Sequence, residues 1–210
     1  MQDDTLFALV AVERRRAADM FASLDQHQLA SPSLCAEWSV RDMAGHLTLP
    51  FAVSFPRAVM GLVRHRGNFD RWSVQASREV GSRPLDELLQ MLRDHAESRW
   101  TPPGKSAIAP LTDVCVHVRD VAHPLALSTC APPAAWQAIL SGLFAPKSRV
   151  PIPQRRAAGL TAHATDLEQS WGSGPELVGT AEALVMALAG RTAALDDLTG
   201  DGVAALHARS

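Results

Sequence analysis

The chain has 210 residues, 47% of them hydrophobic, and 20 Lys and Arg against 22 Asp and Glu, for a formal net charge of -2. That supplies a sizeable core, while no basic run exceeds Arg14-Arg15-Arg16, so a solvated helix face is expected there and nucleic acid is excluded as a partner. No apolar run approaches the roughly 20 residues of a membrane span, and the opening MQDDTLFALVAVERRRAADM is acidic where a secretory leader is basic, so a cytoplasmic protein without a membrane partner is expected.

Apolar residues recur at helical spacing from about Asp4 to Gln28 (Leu6, Leu9, Val10, Ala17, Met20, Phe21, Leu24), predicting a first helix. A second begins near Ser39. There Ser39 can cap, Asp42 stands where a capping-box acid belongs, and Trp38 and Met43 are spaced for a hydrophobic staple. His46 lies on this helix, and Pro50 follows four residues later, where its ring clashes with the His46 carbonyl and kinks or ends the helix. A third helix is predicted from Pro84 to about Arg99 on the stripe Leu85, Leu88, Leu89 and Leu92, followed by a loop over TPPGKSAIAP.

The fourth helix, in PLTDVCVHVRDVAHPL, ends before Pro124 and carries the most informative pattern in the chain. Asp113, His117 and Asp120 fall at i, i+4 and i+7 on one face, while Val114, Cys115, Val116, Val118 and Val121 make the rest apolar. A carboxylate buried here without a partner would cost several kcal/mol. A metal ion shared with a residue from another helix would supply that partner, and His46 is the foremost candidate. A core histidine hydrogen-bonded to a neighbouring carboxylate satisfies the same pattern, and spacing leaves both readings open. Asp42 precedes His46 by one turn and Asp120 follows His117 by three residues, so each could orient a ligand ring from behind, with capping the competing task for Asp42.

Downstream, PPAAWQAILSGLFA predicts a short helix, APKSRVPIPQRR a boundary, GLTAHATDLEQSWGSGPELV two strands, and TAEALVMALAG a helix stopped by Gly190. Cys35, Cys115 and Cys130 are odd in number and widely spaced, which argues against a disulfide framework and for small core residues. Trp171, Gly172 and Gly174 suit a packed turn. Arg41, Arg155 and Arg156 could hold an anionic substrate or lie on the surface, and no residue can be assigned to substrate.

The stretch LCAEWSVRDMAGHL resembles the signature of the mycothiol-dependent maleylpyruvate isomerase family, a branch of the DinB-like metal-binding bundles. The likeness continues through DVCVHVRDVAHPLAL and into GLTAHATDLEQSWGSGPELVGTAEALVMALAGR. It implies an α+β protein: a DinB-like antiparallel four-helix bundle over residues 1–148, then a small α/β domain over 149–210. It also implies zinc or a similar divalent metal on His46, Asp113 and His117, and mycothiol as thiol cosubstrate for a small electrophile. The expected function is a metal-dependent thiol transferase or isomerase, as a monomer or homodimer; a non-enzymatic binding module and a metal-dependent hydrolase are the alternatives. Two departures from the family pattern stand out. Asp113 is shorter than the usual Glu, and Arg119 replaces an uncharged polar residue.

Overall fold

A computed structural model describes residues 2–129 and 131–209; Cys130, read above as a core residue, lies outside the described residues. The fold is helix-rich with one small sheet. In chain order the helices are α1 (Asp3–Ala22), α2 (Gln26–Ala30), α3 (Val40–Ala52), α4 (Phe55–Arg64), α5 (Phe69–Gly81), α6 (Leu85–Asp94), α7 (Ile108–Ala122), α8 (Pro133–Leu143) and α9 (Gln154–Ala157). Then come strands β1 (Thr161–Ala164), β2 (Gln169–Gly172) and β3 (Glu176–Gly179), helix α10 (Ala181–Leu188), a 3-10 turn at Thr192–Leu195, and α11 (Gly202–His207).

The chain divides into two compact units, with the divisions falling inside α1 and α7. One unit comprises residues 10–100 and 117–129. Within it α3 packs against α5, α6 and α2. The closest approach is backbone on backbone: a Cβ at Gly45 would collide with the Ser77 carbonyl and the Gly81 backbone, and one at Gly81 would stand 3.0 Å from the Arg41 carbonyl oxygen. Val10, Ala17 and Phe21 on α1 and Leu88 and Leu92 on α6 are wholly buried in the core.

The other unit comprises residues 1–9, 101–116 and 130–210. Its sheet has the order β2-β1-β3. β1 runs antiparallel to β2, with Thr161 opposite Gly172 and Ala164 opposite Gln169, and parallel to β3, with Thr161 opposite Glu176. α10 packs on α8, β1 and β3.

Local chemistry explains where these elements differ from the expected ones. The first helix stops at Ala22 because Asp25 and Gln28 form a capping box that starts α2 instead of extending α1. α3 begins at its predicted cap, Ser39, and runs through Pro50 to Ala52. α6 ends at Asp94, short of Arg99, where Arg14 takes over the last carbonyls, its Nη1 donating to His95, Ala96 and Ser98. The expected loop before α7 yields its last residues, Ile108 to Pro110, to the helix, since a proline in a first turn has no hydrogen bond to lose. Two strands become three because Gly172 and Gly174, at φ 87° and 128°, turn the chain back so that Glu176–Gly179 pairs with β1. α4 and α5, between Ala52 and Pro84, answer to no predicted element.

Candidate metal centre

α7 buries Val114, Cys115, Val116, Val118 and Val121, so its remaining face carries the polar residues. Asp113 and His117 are one turn apart on that face and both half-buried. His46, also half-buried, comes from α3, beside the glycine that lets α3 and α5 touch. One ligand atom from each of His46, Asp113 and His117 lies within 4.8 Å of the others. Two imidazole nitrogens and one carboxylate oxygen are a borderline N,N,O donor set, suited to zinc or a similar divalent ion with a coordination position left open.

The rings are fixed from behind. His117 Nδ1 is 2.9 Å from Asp120 Oδ2, and Asp120 is wholly buried. A carboxylate there selects the tautomer with the proton on Nδ1, which leaves the Nε2 lone pair able to bind a metal. Ser77 Oγ on α5 is 3.4 Å from His46 Nδ1. The indole of Trp38 packs on both histidines, its centroid 4.4 Å from His46 at 32° and 5.6 Å from His117 at 68°, and the two imidazoles meet edge to face at 4.6 Å.

The other residues singled out from the sequence take different places. Asp42 completes the capping box of α3: its Oδ2 accepts from the Ser39 N–H at 3.0 Å and the Ser39 hydroxyl at 2.8 Å. Arg41 donates to the Gly81 and Arg83 carbonyls, and Arg119 to the Thr129 carbonyl at 3.1 Å, so each holds a neighbouring turn. Arg156 is buried and donates to the Leu188, Ala187 and Arg209 carbonyls; burial and the cations Arg155, Arg191 and Arg209 lower its pKa. Arg155 is exposed. Trp171 donates to the Ser141 hydroxyl at 3.0 Å, as a packed turn would require. Cys115 is buried and Cys35 half-buried.

Two residues at the centre escaped the sequence reading. Trp38 was visible only as a staple residue and Ser77 carried no signal, because a lone serine in a helix has no pattern. A third buried group, Glu13 on α1, is wholly inaccessible, with neither carboxylate oxygen hydrogen-bonded among the described residues and Arg16 Nη2 3.6 Å away. Desolvation raises its pKa, against a smaller lowering by Arg16.

A family model described as the mycothiol maleylpyruvate isomerase N-terminal domain matches residues 10–168. No curated protein matches the chain. Among solved structures, that of a mycothiol-dependent maleylpyruvate isomerase is 14% identical with a TM-score of 0.56, over 96% of this chain and 93% of that one. A histidine-to-alanine variant of such an isomerase is 13% identical with the same TM-score and coverage. At these identities the likeness is one of fold. No helix among the described residues is long and apolar enough to cross a membrane.

Proposed function

Because the chain belongs to the mycothiol maleylpyruvate isomerase N-terminal domain family, we propose that it is a metal-dependent thiol transferase or isomerase acting on a small electrophile with mycothiol as its thiol. One observation carries the metal: His46, Asp113 and His117 bring three ligand atoms within 4.8 Å of one another, on helices that the sequence separates by some sixty residues. The donor set fits. A divalent ion bound there supplies a Lewis-acid position that keeps a thiol in its thiolate form at neutral pH.

The chain's own residues do the rest. Asp120 holds a proton on His117 Nδ1 and keeps that ring in one orientation. Ser77 and Trp38 confine His46. No protein nucleophile is needed, since the thiol sulfur forms a bond to one carbon of an activated double bond, the remaining single bond rotates, and the sulfur leaves with its electron pair. Nothing is consumed in an isomerisation; in a transfer the sulfur stays and the thiol proton passes to the product. Residues 1–148 as a DinB-like four-helix bundle and 149–210 as a separate α/β domain belong to the same proposal.

The test is metal content together with product formation. Purified protein should carry about one divalent ion per chain, and His46→Ala and His117→Ala should lose most of it while staying helical. Full metal in both variants overturns the site. Turnover of a conjugated cis double bond should require both metal and mycothiol and survive Cys115→Ala. Turnover without thiol that dies on chelation identifies a hydrolase instead, and retained metal with no turnover a binding module.

A further inference from the structure

Trp38 touches both histidines of the candidate centre, and its placement is over-determined. Its backbone N–H donates to the Cys35 carbonyl at 2.9 Å, and its carbonyl accepts from the Ser33 N–H at 3.1 Å and the Ser33 hydroxyl at 2.8 Å. It directly precedes Ser39, the cap of the helix that carries His46. The same loop is tied to α7 by the Leu34 N–H, which donates to the Asp120 carbonyl at 2.9 Å, and Asp120 is the residue that holds His117. One short loop is thus fastened to both histidine-bearing helices.

The indole is 8% exposed, and its Nε1 has no hydrogen-bond acceptor among the described residues. A buried tryptophan ordinarily finds one, and leaving the donor unmet costs about 1–3 kcal/mol. The contacts that tie this side chain to the two histidines run through its ring. That ring meets the His46 imidazole at a 32° tilt and the His117 imidazole edge on at 68°. Contacts of these two kinds fix the planes of both imidazoles at once.

We infer that Trp38 is a positioning residue whose indole sets the orientation of His46 and His117 so that both nitrogens reach one ion. The inference rests on the metal reading above. Its test uses cobalt(II) as the probe, with affinity measured by chelator competition and coordination by the visible spectrum. Trp38→Phe keeps a ring and should bind within about threefold of wild type with the same spectrum. Trp38→Leu should bind at least tenfold more weakly, at the low end of the 10–100-fold typical of lost support behind a ligand. Trp38→Met, which refills the volume with a flexible chain, should behave like Leu, and circular dichroism establishes that each variant is folded.

A second measurement needs no metal. In the metal-free protein, NMR relaxation of the imidazole ring carbons should find the rings of His46 and His117 held in wild type and Trp38→Phe and more mobile in Trp38→Leu, while the His117 tautomer, set by Asp120, stays the same in all three. Wild-type affinity and spectrum in Trp38→Leu overturn the inference, as does a loss in Trp38→Phe equal to that in Trp38→Leu, which would assign the effect to the N–H. No cobalt bound by wild type overturns the metal reading instead, and the NMR comparison then decides whether Trp38 holds the rings.

Discussion

α3 and α4 are consecutive helices joined by Val53 and Ser54, and they could hardly be treated more differently by the fold. α3 buries Val40, Met43, Ala44, Leu47 and Leu49 and meets α5 backbone to backbone at Gly45. α4 buries nothing: Phe55 is 74% exposed and Val63 71%, with Val59 and Met60 also exposed. Both helices are apolar enough for a core. What separates them is whether the neighbouring backbone can come close, and on α3 a residue without a side chain allows it. α4 has a glycine too, but Gly61 meets the edge of the Trp72 indole, so a side chain fills the space that backbone fills at Gly45. The candidate ligand His46 stands on the helix that is held, one residue from the point of tightest contact.

Gly45→Ala should break this contrast most severely. The atoms its Cβ would strike are backbone, which cannot rotate aside, so α3 and α5 must part. Overpacking of this kind costs about 1–3 kcal/mol or more, and a thermal midpoint lower by roughly 3–10 °C is expected. Metal affinity should fall with it, because His46 shifts with its helix. An unchanged midpoint would mean that the close approach is not what distinguishes α3.

Asp120→Asn should come next, and it acts on α7, the helix of the other two candidate ligands, without altering shape. Replacing the carboxylate behind His117 removes the preference for the Nδ1 proton and should weaken metal binding on the order of 10–100-fold with little change in melting. Equal affinity in isothermal titration would return Asp120 to a purely structural role.

Glu13 sharpens the comparison from the opposite side, as a buried group that gains nothing from burial. Its folded-state pKa is raised above the unfolded value by desolvation, so the folded state binds its proton more tightly. The contribution is therefore fully present below the ordinary glutamate range and is lost as pH rises through the raised value. Glu13→Leu should flatten the fall in thermal midpoint over that window and, above it, melt higher than wild type by a few degrees. A parallel pH profile in both proteins would contradict this.

The smallest effect belongs to α4. Val63→Ser and Phe55→Ser remove apolar surface that touches water already, so unfolding free energy should move by no more than about 0.5 kcal/mol in a urea titration. A loss of 2 kcal/mol or more would place these side chains in a core and erase the difference between the two helices.

The same contrast decides what could be read from the sequence. The start of α3 was legible because its signals are local: Ser39 and Asp42 satisfy each other across three residues. The i, i+4, i+7 stripe on α7 was legible for the same reason, as was the helix stop at Gly190, which has φ 97°. α4 and α5 were not, although Pro56 at the first turn of α4 and the Asn68 cap of α5 are signals of the right kind. The break at Asp25 was hidden because no glycine or proline marks it and the Asp25–Gln28 capping box sits directly after Leu24, the last residue of the apolar stripe. All three strands are four residues long, and the third was missed because the Gly172 and Gly174 segment before it reads as a packed turn with no sign of the parallel pairing that follows. At the candidate centre, the three residues that meet there were singled out in advance, but their surroundings were not: Ser77 meets His46 across 31 residues, and no spacing rule reaches that far.

The contact between Trp38 and the two imidazoles has an optical consequence. The chain has no tyrosine and five tryptophans, so its near-ultraviolet emission comes from indole alone. Trp38 is, among the described residues, the tryptophan whose ring contacts histidine rings. Any change in the charge or ligation of His46 or His117 must therefore alter the brightness of one emitter in five, and the difference spectrum between wild type and Trp38→Phe isolates it. The protein carries a built-in gauge of its own centre, readable in dilute solution without a label.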